Sequence, residues 1–170
     1  MRTGGCMLLS DIKNRFNCVV NSLSNSLLKE EVEGILQDPD CVKKYLKLTD
    51  VDIKELECES SLYCKMGNWE EAIDSLGWLT FLESSKASHF LRLGSILLQI
   101  EQYAEALKIL KIGSLLDLDN PEFFLYMGGC YLALGEKVLA KESFKMSIEL
   151  SENNNEYNEI GLLAQEGILM

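Results

Sequence analysis

Three alanines, Ala72, Ala106 and Ala140, stand 34 residues apart, and their neighbours recur with them. Four residues after each comes a large apolar side chain, Leu76, Leu110 or Phe144, and Trp69 and Tyr103 stand three residues before the first two. Upstream, Phe90-x-x-Leu93-Gly94-x-x-Leu97 matches Phe124-x-x-Met127-Gly128-x-x-Tyr131, and Leu56-x-x-Glu59-Ser60-x-x-Tyr63 is a weaker third copy. A fixed period of this length marks a stacked array in which each helical unit buries its apolar face on the next. The small residue at 72, 106 and 140 lets one helix of an antiparallel pair approach its partner closely. Gly94 and Gly128 do the same on the facing helix.

Punctuation along the chain supports an all-helical reading. Gly67 and Gly135 mark the turns inside the first and third pairs, while Glu101 stands at that place in the second. Asn120-Pro121-Glu122 reads as a helix start, with an N-cap, a proline at the first helical position and an acid in the first turn. Helices are predicted over 11–36, 41–47, 51–66, 68–82, 86–100, 102–116, 121–134, 136–150 and 156–168. The expected architecture is an all-α solenoid of three tandem helix pairs over 51–154, preceded by an N-terminal helical segment, 1–50, and closed by a C-terminal capping helix, 155–170. In the N-terminal segment Ile12, Phe16, Val19, Val20, Leu23 and Leu27 form an amphipathic stripe that needs a surface to pack on. Asp38-Pro39-Asp40 should end that helix. Tyr157, Ile160, Leu163 and Ala164 give the last helix its packing side.

Composition narrows the function. At 170 residues and 47% apolar, the chain is long enough for one compact domain with a core. A formal charge of −11 makes a nucleic-acid partner unfavourable, because the surface repels phosphate. The longest uncharged run, Phe123 to Gly135, is 13 residues, short of the ~20 needed to cross a bilayer. Met7, Leu8 and Leu9 are too short an apolar stretch for a signal peptide, so a cytosolic protein is expected, beginning at Met1 or Met7. The six cysteines, among them Cys6, form no C-x-x-C pair and read as reduced thiols.

Catalytic machinery is not expected. His89 is the single histidine, and alone it reads as structural or solvated. Cys58 and Cys64 fall on different helical faces, which argues against a metal site. Gly4-Gly5 and Gly128-Gly129 lack the strand–helix context and following Lys of a phosphate loop, so no cofactor is expected. The acidic pairs Glu30-Glu31 and Glu70-Glu71, and the row Lys137, Lys141 and Lys145, read as solvated faces.

One feature resists the bland reading. The first helices of the second and third copies are apolar nearly all round. With Phe90, Leu93, Leu97 and Phe124, Met127, Tyr131 assigned inward, Leu91, Ser95, Leu98 and Leu125, Gly129, Leu132 remain as a second stripe at i, i+4, i+7. A contiguous exposed patch of this kind is seldom left unoccupied in a soluble monomer. A terminal helix of the chain itself is the competing occupant.

The repeat resembles the tetratricopeptide repeat, W-x2-L-G-x2-Y followed by A-x3-F, over roughly residues 53–154. That resemblance implies a concave groove lined by the first helices. It places Leu91, Ser95, Leu98, Leu125, Gly129 and Leu132 there, with Glu57, Ser61 and Cys64 at the corresponding positions of the first copy. Modules that clamp C-terminal carboxylates carry Lys, Asn and Arg along this groove; Glu57, Ser61, Leu91 and Ser95 do not fit them. Over about 48–152 the chain is similar to the class II chaperones of bacterial type III secretion. The matching text includes Leu48-Thr49-Asp50, Met66-Gly67-Asn68-Trp69-Glu70-Glu71-Ala72, Ser88-His89-Phe90-Leu91-Arg92-Leu93-Gly94 and Leu116-Asp117-Leu118-Asp119-Asn120-Pro121-Glu122-Phe123-Phe124. This implies a bacterial cytoplasmic chaperone that binds an extended segment of a secreted translocator, with a Pro-x-Leu-x-x-Pro-like pattern, before export. It also implies a homodimer through N-terminal helices, for which Ile12, Phe16, Val19 and Leu23 are the candidates. The alternative is an adaptor, or a needle-subunit chaperone, whose groove grips a partner's helix.

Overall fold

The computed structural model describes residues 8–26, 29–152 and 154–169. Among these are ten α-helices, a 3-10 turn at Asn155–Tyr157 and no strand. They are α1 (Leu8–Ser26), α2 (Lys29–Gln37), α3 (Pro39–Leu46), α4 (Asp50–Met66), α5 (Trp69–Leu82), α6 (Ala87–Gln99), α7 (Tyr103–Leu116), α8 (Pro121–Ala133), α9 (Lys137–Glu152) and α10 (Asn158–Leu169). The chain divides into two compact units, Met1–Ser84 and Ser85–Met170.

In the first unit, α4 and α5 form the first helix pair. Thr49 and Asp52 make a reciprocal capping box at the start of α4, and Gly67 ends it in the left-handed region at φ 74°. The helix predicted over 11–36 is instead two helices, α1 and α2; Leu27 lies outside the described residues. α2 folds back on α1 and α3. Its Ile35 and Leu36 thereby line one apolar cleft with Phe16 and Val19, a placement a continuous helix could not give. Asp38 caps α3, its carboxylate accepting from the backbone N–H groups of Asp40 and Cys41.

The partner surface for the α1 stripe is the unit itself. Ile12 is fully buried, and Leu23 nearly so. Phe16 meets Trp78 of α5 edge-on, with ring centroids 4.9 Å apart, and Lys13 pairs with Asp74 of α5. The N–H groups of Leu8 and Leu9 donate to the Glu59 carboxylate of α4 at 3.0 and 3.1 Å.

The second unit holds the second and third pairs, α6/α7 and α8/α9, followed by α10. The 34-residue logic is realised atom by atom. Ala106 is 0% and Ala140 2% exposed, as Ala72 is 0% in the first unit. A Cβ on Gly94 would lie 2.5 Å from Leu110 Cγ, and one on Gly128 2.5 Å from Phe144 Cε1, so in these two copies the close approach requires glycine. The equivalent place in the first copy is Ser60, fully buried, its hydroxyl donating to the Glu57 carbonyl at 2.8 Å. Gly135 turns at φ 81°, and Glu101 takes the same left-handed conformation at φ 65° without being glycine.

The inward face of α8 differs from expectation. Phe123 and Cys130 are fully buried, whereas Phe124 and Tyr131 are half-buried. The reason is that α8 packs on both α7 and α9. Phe123 lies against Gly113 of α7, where a Cβ would come within 2.3 Å of its ring, while Gly128 belongs to the side that receives Phe144. Part of the all-round apolarity is therefore contact between successive pairs. α10 packs on α9 and α8 as a capping element. It turns inward through Gly161, Ala164 and Gly167, the last in contact with Phe144, and leaves Leu163, expected to pack, 52% exposed.

Candidate peptide-binding surface

Each expected stripe lies on one helix face, and each is half-buried. On α4, Glu57, Ser61 and Cys64 share a face of the first unit, with the Ser61 hydroxyl donating to the Glu57 carbonyl at 2.9 Å. On α6, Leu91, Ser95 and Leu98 share another; the Ser95 hydroxyl donates to the Arg92 carbonyl at 2.9 Å. On α8 they are Leu125, Gly129 and Leu132.

The leucines were expected to form an exposed patch, and they are half-buried. α6 packs beside α8, and α8 beside α10. Leu98 turns its methyls toward Gly129, 3.7 and 3.9 Å from where a Cβ would stand. Leu125 and Leu132 rest partly on the cluster of Ala140, Phe144 and Ala164. First helices of a stack touch one another, which consumes part of every side chain at these positions. What remains in the second unit is half-buried apolar surface along α6 and α8, here termed the trough.

Polar groups mark the edges of α8. Glu122, in its first turn, has its carboxyl pushed up by burial. Burial also raises the Tyr126 phenol, with the Glu122 charge adding to the effect. The Lys111 ammonium lies 5.5 Å from the centroid of the Tyr131 ring, a cation–π contact on the flank.

His89 is buried, at 2% exposure, which settles structural against solvated. The Cys130 thiol is pushed up to about 11 by burial, so it is protonated and a poor nucleophile near neutrality. Cys18 and Cys58 are exposed, and Cys41 and Cys64 half-buried, all as free thiols; Cys6 and Met7 lie outside the described residues. Glu70, Glu71, Lys137, Lys141 and Lys145 are exposed as expected. The side chains of Glu30 and Glu31 lie outside the description.

Ile12, Phe16, Val19 and Leu23, the candidates for a homodimer contact, differ in how much surface they have left. Ile12 and Leu23 are spent inside the first unit, and Phe16 and Val19 are already half-buried in the cleft beside α2. The amphipathic pattern that suggested a second chain is satisfied by α3, α4 and α5. Sequence reasoning missed Glu59 as the acceptor at the start of α1, because nothing local links two residues 50 apart.

No protein-family model and no curated protein matches this sequence. Solved structures do share its fold. PcrH of Pseudomonas aeruginosa, in complex with the chaperone binding region of PopD, is 23% identical with a TM-score of 0.69, over 71% of this chain and 91% of that one. The type III secretion chaperone SycD of Yersinia enterocolitica, in complex with a peptide of the translocator YopD, is 22% identical with a TM-score of 0.68, over 71% and 92%. A type III secretion complex from Aeromonas hydrophila reaches a TM-score of 0.71 at 24% identity, over 82% and 93%. The fold of this chain is the helical-repeat fold of these structures.

Proposed function

We propose that this protein is a non-catalytic, cytoplasmic chaperone of bacterial type III secretion, and that it holds an extended apolar segment of a translocator before export. The observation that carries the reading is the trough of the second unit, where Leu91, Leu98, Leu125 and Leu132 present half-buried apolar surface on two neighbouring helices. Supporting it, PcrH and SycD, which share the fold, were crystallised with segments of PopD and YopD. Among the described residues no helix is long and apolar enough to cross a membrane. The chemistry is burial: two or three apolar anchors contribute about 1.5–3 kcal/mol each when fully buried and offset the ordering of the peptide. Helices packed ~8–10 Å apart match anchors about three residues apart on a chain advancing ~3.3 Å per residue.

The test is titration of a labelled Pro-x-Leu-x-x-Pro peptide against one whose anchors are alanine, with wild type and Leu98→Asp. Wild type should prefer the anchored peptide by at least about tenfold, the loss of roughly one buried side chain. Leu98→Asp should abolish that preference while helical circular dichroism is retained. Equal affinities for the two peptides would overturn the reading.

A further inference from the structure

We infer that Gly129 sets the size of the side chain the trough accepts, by leaving a notch whose floor is the α8 backbone; the inference rests on the trough being the peptide site. The interior of α8 contains two successive glycines, and each is unfavourable by about 1 kcal/mol relative to alanine in a helix. Gly128 is required by the fold, since its Cβ would collide with Phe144 at 2.5 Å. Gly129 is not. A Cβ there would meet only the Leu98 methyls, at 3.7 and 3.9 Å, which is ordinary contact. Alanine would therefore gain both helix propensity and packing, so the chain's own stability argues against the glycine it carries.

The surroundings explain what the missing side chain makes room for. Leu125 and Leu132 flank Gly129 one turn away on either side, and Leu98 faces it from α6. The nearby Ser95 hydroxyl is directed to the Arg92 carbonyl. Gly34 and Gly77 also have space at their Cβ positions, but no atom within 4 Å bounds it, so they form no notch. The space beside the Leu98 methyls, open on its other sides within 4 Å, fits a branched aliphatic side chain, such as leucine, of an extended peptide.

The experiment compares wild type, Gly129→Ala and Leu98→Asp for affinity toward the Pro-x-Leu-x-x-Pro peptide and toward the same peptide with its Leu changed to Ala, together with thermal unfolding. Gly129→Ala is expected to unfold at a higher temperature, to bind the Leu peptide at least about fivefold more weakly, and to bind the Ala peptide as wild type does. If it binds the Leu peptide like wild type while Leu98→Asp loses it, Gly129 is not the selector and the trough stands. If it weakens both peptides equally, or unfolds at a lower temperature, the glycine is structural and the inference is overturned. If neither variant alters binding of the Leu peptide, the trough is not the site and both readings fall.

Discussion

At the scale of single residues, the glycines divide by what their missing side chain is for. Gly94 and Gly128 admit Leu110 and Phe144, and both were legible from the 34-residue period because the large partner recurs with the small one. Gly113, wedged against Phe123 and Phe90, was not, since no repeat marks it. Gly128→Ala should lower stability by about 1–3 kcal/mol, read as a drop in the thermal midpoint, because the methyl has no room beside the Phe144 ring. Glu101 carries the opposite error: it holds the left-handed turn at φ 65° with a side chain present. Glu101→Gly should raise stability by about 0.5–1 kcal/mol in chemical denaturation, the relief of that conformation less the added chain entropy. Glu122 gives a pH dependence. Its carboxyl is raised by burial, so protonation favours the folded state, and this contribution is present below ~4.3 and lost as pH rises. Glu122→Gln should therefore unfold at a higher temperature than wild type at pH 7, with the gap closing by about pH 4.

At the scale of elements, helix existence was readable and helix company was not. The cap at Asn120 and the turns at Gly67 and Gly135 stand where sequence placed them, since these depend on the residue and its immediate neighbours; Asp38, expected only to end a helix, also caps the next one. The faces were harder. A period near 3.6 says that a helix has an apolar side, but α8 has four neighbours, α6, α7, α9 and α10, and its apolar residues are shared among them. For α1 the same stripe fits a second chain or the chain's own helices; the structure spends Ile12 and Leu23 on the latter. Glu59→Ala should loosen α1, since it removes two charge-assisted hydrogen bonds that tie the Leu8 and Leu9 N–H groups to α4. Hydrogen exchange at residues 10–16 should quicken, with exchange in α8 and α9 unchanged; unchanged rates in α1 would show that apolar packing alone holds it.

At the scale of the whole molecule, the charge of −11 and the apolar trough make different demands on a ligand. If burial dominates, raising salt from 50 to 300 mM should change the affinity for the Pro-x-Leu-x-x-Pro peptide by well under tenfold, because screening acts on exposed charges and not on buried methyls. A tenfold loss would mean that charge carries recognition.

The sequence by itself determined that this chain is a helical array, where the helices of its three pairs start and stop, and which small and large residues meet within the second and third pairs. These follow from rules that act over a turn or a repeat: cap chemistry, backbone freedom, and a period that brings Ala106 and Leu110 opposite Gly94. Only the tertiary structure decided how much of Leu98, Leu125 and Leu132 remains for a ligand, that α1 closes on its own unit through Glu59, and that Gly129 is unneeded by its neighbours. Exposure and close approach are properties of what lies across from a residue, and residues 30 to 60 positions away in the chain supply that.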